Sequence, residues 1–292
     1  MIAARQIAFG RGAAKGISAK DYVQDGLVAM WDGIENGGYK NSDTSSRTWL
    51  DVIHGLPMQL CESAFFTGNS LRILADDSNI SSAYMYCNAY DAYLTLGGGT
   101  DNYVFRDYGV PTNHFGCSTF GSLKINKGGD TDASQDIICW TSNADYMGGA
   151  IHYEAGKGIL MTAKNVLGNL ASAICPLEEG IPLCLGLTSE NIPNINNGRF
   201  FSSLLYKDGI LTRDNSKKVA EENYYYDKSM VAPLIATSSI FRERILVLNK
   251  TPYQGSPWAR DIEFFNLRVY SRALTAEEIA HNYEIDKVRF GI

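Results

Sequence analysis

The chain has 292 residues, 45 % hydrophobic and 20 % charged, enough to bury a large core and ordinary for a soluble globular protein. Its formal net charge of −6 and pI of about 5.3 argue against a nucleic-acid partner, which would need clustered Lys and Arg. No run approaches the ~20 consecutive apolar residues of a membrane-spanning helix, while Tyr (17), Phe (12) and Gly (28) tilt the composition towards strands and turns.

Residues 1–20 carry Arg5, Arg11, Lys15 and Lys20 among small residues and read as an N-terminal arm, with the domain running from 21 to 292. The arm lacks the continuous apolar core of a secretory signal, which leaves open export by another route, retention in the cell, or prior removal of a leader. Gly26-Leu-Val-Ala-Met-Trp31 has the length and continuous apolarity of a strand buried on both faces. A polar loop over 32–47 follows, then Thr48-Trp-Leu-Asp-Val-Ile-His-Gly55 and a short strand near Pro57 to Cys61.

Beyond this point short apolar runs alternate with turn-rich segments. The runs include Leu71 to Leu74, Ala92 to Leu96, Ile137 to Trp140, Ile159 to Thr162, Leu183 to Leu187 and Ile245 to Leu248. Gly97-Gly-Gly99, Gly128-Gly-Asp130, Gly148-Gly149 and Asn194 to Gly198 read as separators. Many short strands with such punctuation predict a sandwich or barrel.

Ser203-Leu-Leu-Tyr-Lys207, Asp208-Gly209 and Ile210-Leu-Thr-Arg213 predict a hairpin with a tight type I′ turn, whose two central residues need φ > 0. From Ile262 to Tyr270 a period of 2 puts Phe265, Leu267 and Val269 on one face and Phe264, Asn266, Arg268 and Tyr270 on the other. Thr275-Ala-Glu-Glu278 is a capping box that opens a helix, and Ala276, Ile279, Ala280 and Tyr283 predict the face that lies on the sandwich. The six cysteines (Cys61, Cys87, Cys117, Cys139, Cys175, Cys184) form no CxxC pair, which excludes a zinc knuckle or thioredoxin-like motif. They read as small core hydrophobes, with disulfides left open.

Four cues in order resemble the concanavalin A-like lectin/glucanase superfamily, in particular its laminin G-like modules of bacterial and phage type. They are Gly26-Leu-Val-Ala-Met-Trp31-Asp32, Trp49-Leu-Asp51-Val-Ile-His-Gly55, the hairpin around Asp208-Gly209, and Tyr270-Ser-Arg-Ala-Leu-Thr-Ala-Glu-Glu-Ile279. The cues span roughly 22–289, with none between about 80 and 200. The resemblance implies an all-β, two-sheet antiparallel jelly-roll sandwich with a short C-terminal helix. It leaves function open, because this fold hosts lectins, hydrolases, adhesion modules and spacers.

Glucanases of the superfamily place Glu-x-Asp-x-(x)-Glu on one strand, so that two carboxylates flank a glycosidic bond. Asp261-Ile-Glu263 approaches this but has Ala259 and Phe265 where a third carboxylate would stand, and it reads as an exposed edge or strand-entry pair. His54, His114, His152 and His281 are too dispersed for a metal-binding helix motif. Gly116-Cys-Ser118-Thr-Phe120 lacks the second Gly of a nucleophile elbow, and Gly10-Arg-Gly12 is only a fragment of a phosphate loop. No catalytic residue and no metal ligand emerge.

Sugar sites combine an aromatic face with polar groups that bond hydroxyls. Loops with that mixture nominate Tyr103, Arg106, Tyr108, Asp145, Tyr146, Tyr225 and Trp258 as ligand contacts. Trp31 and Trp49 read as packing residues. Asp32 and Asp51 offer hard oxygens of the kind calcium takes, but no dense Asp/Asn ladder surrounds them, and the short acidic loop at Asp130 and Asp132 reads as solvated; no cofactor is expected, with calcium as the minor alternative.

Three functions follow in order of preference. The first is a non-catalytic carbohydrate-binding or adhesion module whose partner is a glycan. The second is a structural or accessory protein of a phage particle or surface assembly, whose partner is another surface or virion protein. The third is a glycoside hydrolase. The first two place the protein at the extracellular surface or on a virion.

Overall fold

The computed structural model describes residues 16–36, 39–40, 47–76, 85–87, 115–128, 135–141, 148–154, 158–165, 168–176, 178–192, 198–214, 217–220, 246–248, 260–270 and 272–292. The strands up to residue 127 are β1 (Leu27–Asp32), β2 (Glu35–Asn36), β3 (Tyr39–Lys40), β4 (Thr48–Leu50), β5 (Pro57–Gln59), β6 (Ala64–Phe66), β7 (Leu71–Leu74), β8 (Met85–Cys87) and β9 (Phe115–Lys127). Next come β10 (Gln135–Thr141), β11 (Gly148–Glu154), β12 (Gly158–Asn165), β13 (Gly168–Cys175), β14 (Pro182–Ile192) and β15 (Gly198–Lys207). The series closes with β16 (Ile210–Asp214), β17 (Lys217–Ala220), β18 (Leu246–Leu248), β19 (Asp261–Tyr270) and the C-terminal helix α1 (Ala276–Phe290).

These strands form a nine-stranded sheet, β16-β15-β14-β9-β19-β7-β6 with β1 on β19 and β17 on β15, and an eight-stranded sheet, β13-β12-β11-β10-β18-β8-β5-β4. A small β2–β3 ribbon lies inside the segment the sequence suggested was a loop. Every strand pairing among the described residues is antiparallel. The predicted all-β, two-sheet antiparallel class with a short C-terminal helix holds.

Runs predicted as strands account for β1, β7, β10, β12, β14 and β18. Ala92 to Leu96, and the separator Gly97-Gly-Gly99, lie outside the described residues. Gly148 and Gly149 are not a separator: they open β11, paired with Thr141 and Trp140 of β10 and with Lys164 and Ala163 of β12. Ladder bonds on both sides give these backbone groups partners that glycine's turn preference alone would not reveal.

The Asp208-Gly209 hairpin is as expected. Asp208 has φ 53° and Gly209 φ 75°, the left-handed pair that a type I′ turn needs. Asp208 also accepts from the Cys184 backbone N–H at 2.8 Å, tying the turn to β14.

Leu71, Ile73, Leu123, Ile125, Ile262, Phe264, Leu267 and Val269 are buried in the nine-stranded sheet, and Trp49, Met58, Met85 and Ile137 in the eight-stranded one. Trp31 and Trp49 are packing residues, as expected, and their indole N–H groups donate to the Leu56 and Asp32 carbonyls at 3.3 and 3.0 Å. Cys61 and Cys184 are free thiols, with Cys184 buried.

At β19 the structure departs from simple alternation. Its register with β9 shifts between Phe264 and Asn266, so Phe264 faces Leu123 while Asn266 faces Ser122. The bulge re-aims Phe265, whose ring meets Phe290 of α1 with centroids 5.7 Å apart. Phe265 therefore leaves the face it was predicted to share with Leu267 and Val269.

The capping box of α1 is as read from sequence. The Glu278 N–H donates to Thr275 Oγ1 at 3.3 Å, and the Thr275 N–H donates to Glu278 Oε2 at 2.9 Å. Gly291 ends the helix with φ 72°. The predicted buried face holds at Ile279 but not at the two alanines. Ala276 and Ala280 are exposed and Tyr283 is half-buried, whereas Ile279, Asn282, Ile285, Asp286 and Phe290 are buried. Two of those five are polar, so a search for apolar spacing rotates the helix away from the sheet it covers.

Candidate functional site

All seven nominated ligand contacts, Tyr103, Arg106, Tyr108, Asp145, Tyr146, Tyr225 and Trp258, lie outside the described residues. The polar assemblies that the structure does place lie on the outer face of the nine-stranded sheet, the face that carries α1.

The first holds the carboxylate pair. Asp261 opens β19, as a strand-entry residue should, but the pair is not at an exposed edge: β19 runs between β9 and β7. The Asp261 and Glu263 side chains are only 13 % and 11 % exposed. Arg72 of β7 grips Asp261 with two bonds, Nε to Oδ1 at 2.7 Å and Nη2 to Oδ2 at 2.5 Å. Lys124 of β9 pairs with Glu263 at 2.9 Å, and Ser70 Oγ donates to its other oxygen at 3.1 Å. Asn126 Nδ2 donates to both carboxylates, at 3.1 Å to Asp261 and 2.8 Å to Glu263.

Burial alone would raise both carboxyl pKa values. For Asp261 the bonds from Arg72 and Asn126 outweigh it, and for Glu263 those from Lys124 and Asn126 do, so both groups are held below the usual range. A glycosidase acid needs the opposite, a carboxyl whose environment keeps it protonated. Each carboxylate is instead paired with its own cation, Asp261 with Arg72 and Glu263 with Lys124, which favours the charged form of both.

The second assembly is more deeply buried. Asp286 of α1 accepts four bonds: at Oδ1 from Tyr22 Oη and Asn266 Nδ2, each at 2.7 Å, and at Oδ2 from Ser122 Oγ at 2.7 Å and Arg268 Nη2 at 2.6 Å. The Arg268 side chain is 1 % exposed and lies 4.4 Å over the Tyr22 ring. Burial works against the Arg268 charge, but Asp286 beside it more than compensates, and the net shift is upward. Burial chiefly, and then Asp286, also pushes the Tyr22 phenol well up. Asn282 joins by donating to Tyr270 Oη at 3.0 Å.

Sequence reading missed this hub. The available signal was polar: Asn282, Asp286 and Arg289 keep helical phase with Ile279, opposite a strand carrying Asn266 and Arg268.

Asp32 and Asp51, the candidate calcium oxygens, accept from protein donors. Asp32 receives two bonds from Arg289, both 3.1 Å, and the Ile34 and Glu35 N–H groups at 2.8 and 2.9 Å. Asp51 receives the N–H groups of Met30, Ile53 and His54 at 2.5, 3.1 and 2.6 Å. Burial raises both pKa values, offset in part by Arg289 at Asp32 and by the backbone donors at Asp51. Among the described residues no three His, Cys, Asp or Glu side chains group as a metal site would require. No helix among them is long and apolar enough to cross a membrane.

No family model and no curated protein matches the chain. Solved structures do. A Trypanosoma rangeli sialidase in complex with sialic acid superposes with a TM-score of 0.55 at 12 % identity, over 90 % of this chain and 33 % of that one. A mutant of that sialidase displaying trans-sialidase activity gives 0.54 at 13 % identity, over 91 % and 34 %. The receptor binding domain of botulinum neurotoxin D gives 0.53 at 13 % identity, over 89 % of this chain and 52 % of that one. The chain thus spans about a third of the sialidases and about half of the toxin fragment. At such identities the likeness is one of fold alone.

Proposed function

We propose that the chain is a non-catalytic carbohydrate-binding or adhesion module of the concanavalin A-like, laminin G-like kind. The observation that carries this reading is the fold likeness to a sialidase in complex with sialic acid and to a toxin's receptor binding domain, over nine-tenths of the chain. The ion-paired state of Asp261 and Glu263 supports binding over hydrolysis. The resemblance of Trp49-Leu-Asp51 and of Tyr270 to Ile279 to the superfamily's cues supports the narrower assignment. In this reading Tyr103, Arg106, Tyr108, Asp145, Tyr146, Tyr225 and Trp258 supply aromatic faces and hydroxyl partners to the glycan.

A glycan array containing sialylated and neutral structures tests the proposal. Binding to a defined glycan is expected, weakened at least tenfold by Trp258→Ala or Tyr146→Ala, with no reducing sugar released from a polysaccharide panel. Absence of binding to every glycan, with stable multimers in solution, would instead favour a structural component of a surface or virion assembly. Sugar release abolished by Glu263→Gln would overturn the non-catalytic assignment.

A further inference from the structure

Residues 16–25 precede the first strand, and most of their long-range polar contacts run to the other end of the chain. Ile17 accepts at its carbonyl from Arg289 Nη1 at 2.7 Å. The Tyr22 hydroxyl donates to Asp286 at 2.7 Å, and the Val23 N–H donates to Asn282 Oδ1 at 3.0 Å. The Asp21 carbonyl lies 3.0 Å from His281 Nε2, and Asp25 pairs with Arg272 at 2.8 Å. Between these ties Ala19 and Tyr22 pack with Met30 and Ile285.

The segment has its own local order, a 3₁₀ turn at Ala19–Asp21 closed by a Ser18–Asp21 capping box. Gly16 at φ 119° and Gly26 at φ 76° bracket it, both in backbone conformations that other residues adopt only with strain. A segment with internal order, glycine joints at both ends and ties to one helix has the construction of a strap.

We propose that residues 16–25 are a strap over α1, and that strap and helix leave and rejoin the sheet as one cooperative unit. The Tyr22–Asp286 bond couples them, because its acceptor also anchors α1 to Arg268, Ser122 and Asn266 on the sheet. If the strap lifts, Asp286 loses a donor and the Arg268 guanidinium loses its aromatic cover. If the helix lifts, the strap loses its bonds to His281, Asn282, Asp286 and Arg289. Either event therefore favours the other, as expected for a single opening unit.

Native-state hydrogen exchange on the full chain tests this. The Val23 amide and the α1 amides from Ile279 to Phe290 should open with one shared free energy, below that of β9 and β14. Tyr22→Phe, which removes one bond to a buried carboxylate, should speed exchange in strap and helix together by roughly tenfold or more and leave β9 and β14 unchanged. The proposal is overturned if Val23 exchanges far faster than α1 in the unaltered protein, or if Tyr22→Phe loosens the strap alone. The unaltered protein decides the question even if the variant does not fold.

Discussion

Asp286 is a carboxylate with no exposure, held by four donors on two strands and the strap. Such a group stabilises only as part of its set, since the cost of taking two ions out of water is recovered by the bonds between them. Asp286→Ala should therefore cost about 3–5 kcal/mol, because it leaves the Arg268 guanidinium buried and unpaired. Replacing both partners, Arg268→Met with Asp286→Leu, should cost clearly less than that single change. Urea denaturation of the two variants checks the order. A double variant as unstable as the single one would mean that the polar set contributes far more than charge compensation.

Among the elements, β19 shows what a sequence can and cannot disclose. The hairpin turn at Asp208-Gly209 and the cap at Thr275–Glu278 were legible because each depends on side chains a few residues apart. The alternation of β19 was legible only in part, because the bulge at Phe265 is set by register against β9, a property of two strands distant in sequence. The buried face of α1 was misread at Ala276 and Ala280 because Asn282 and Asp286 become core residues only once Tyr270, Arg268 and Tyr22 meet them. The ion pairs of Asp261 with Arg72 on β7 and of Glu263 with Lys124 on β9 were invisible for the same reason. None of the nominated binding residues falls in the described segments, so the candidate glycan contacts rest on composition alone.

Those cross-strand pairs also set a pH dependence. The Asp261 and Glu263 pKa values are lowered in the folded chain, so the stability they contribute is present above their unfolded values. It is lost as pH falls through the lower, folded values. Asp32 and Asp51, whose pKa values burial raises, act in the opposite sense. They are common to parent and variant and cancel in a comparison. Asp261→Asn with Glu263→Gln should cost of the order of 1–2 kcal/mol at neutral pH. The gap to the parent should close progressively in the acid range. A gap independent of pH would show that the carboxylates act through packing rather than charge.

Across the whole molecule, bonds such as Tyr22 to Asp286 close the first described residues onto the last helix, 264 positions away. The sheet face that carries Arg268 and Ser122 is thereby covered where α1 lies. The same arrangement has a chemical consequence at Cys184 of β14. Cys184 is 4 % exposed, and its thiol pKa is pushed up to about 12, chiefly by burial and then by Asp286. At neutral pH the folded protein therefore holds this sulfur almost wholly as the unreactive thiol, out of reach of oxidants and alkylating reagents. Iodoacetamide should leave Cys184 intact in buffer and modify it in denaturant, as peptide mass spectrometry would show; rapid modification in buffer would contradict this burial. Cys184 is thus a dormant nucleophile whose first reaction records the moment the sandwich comes open.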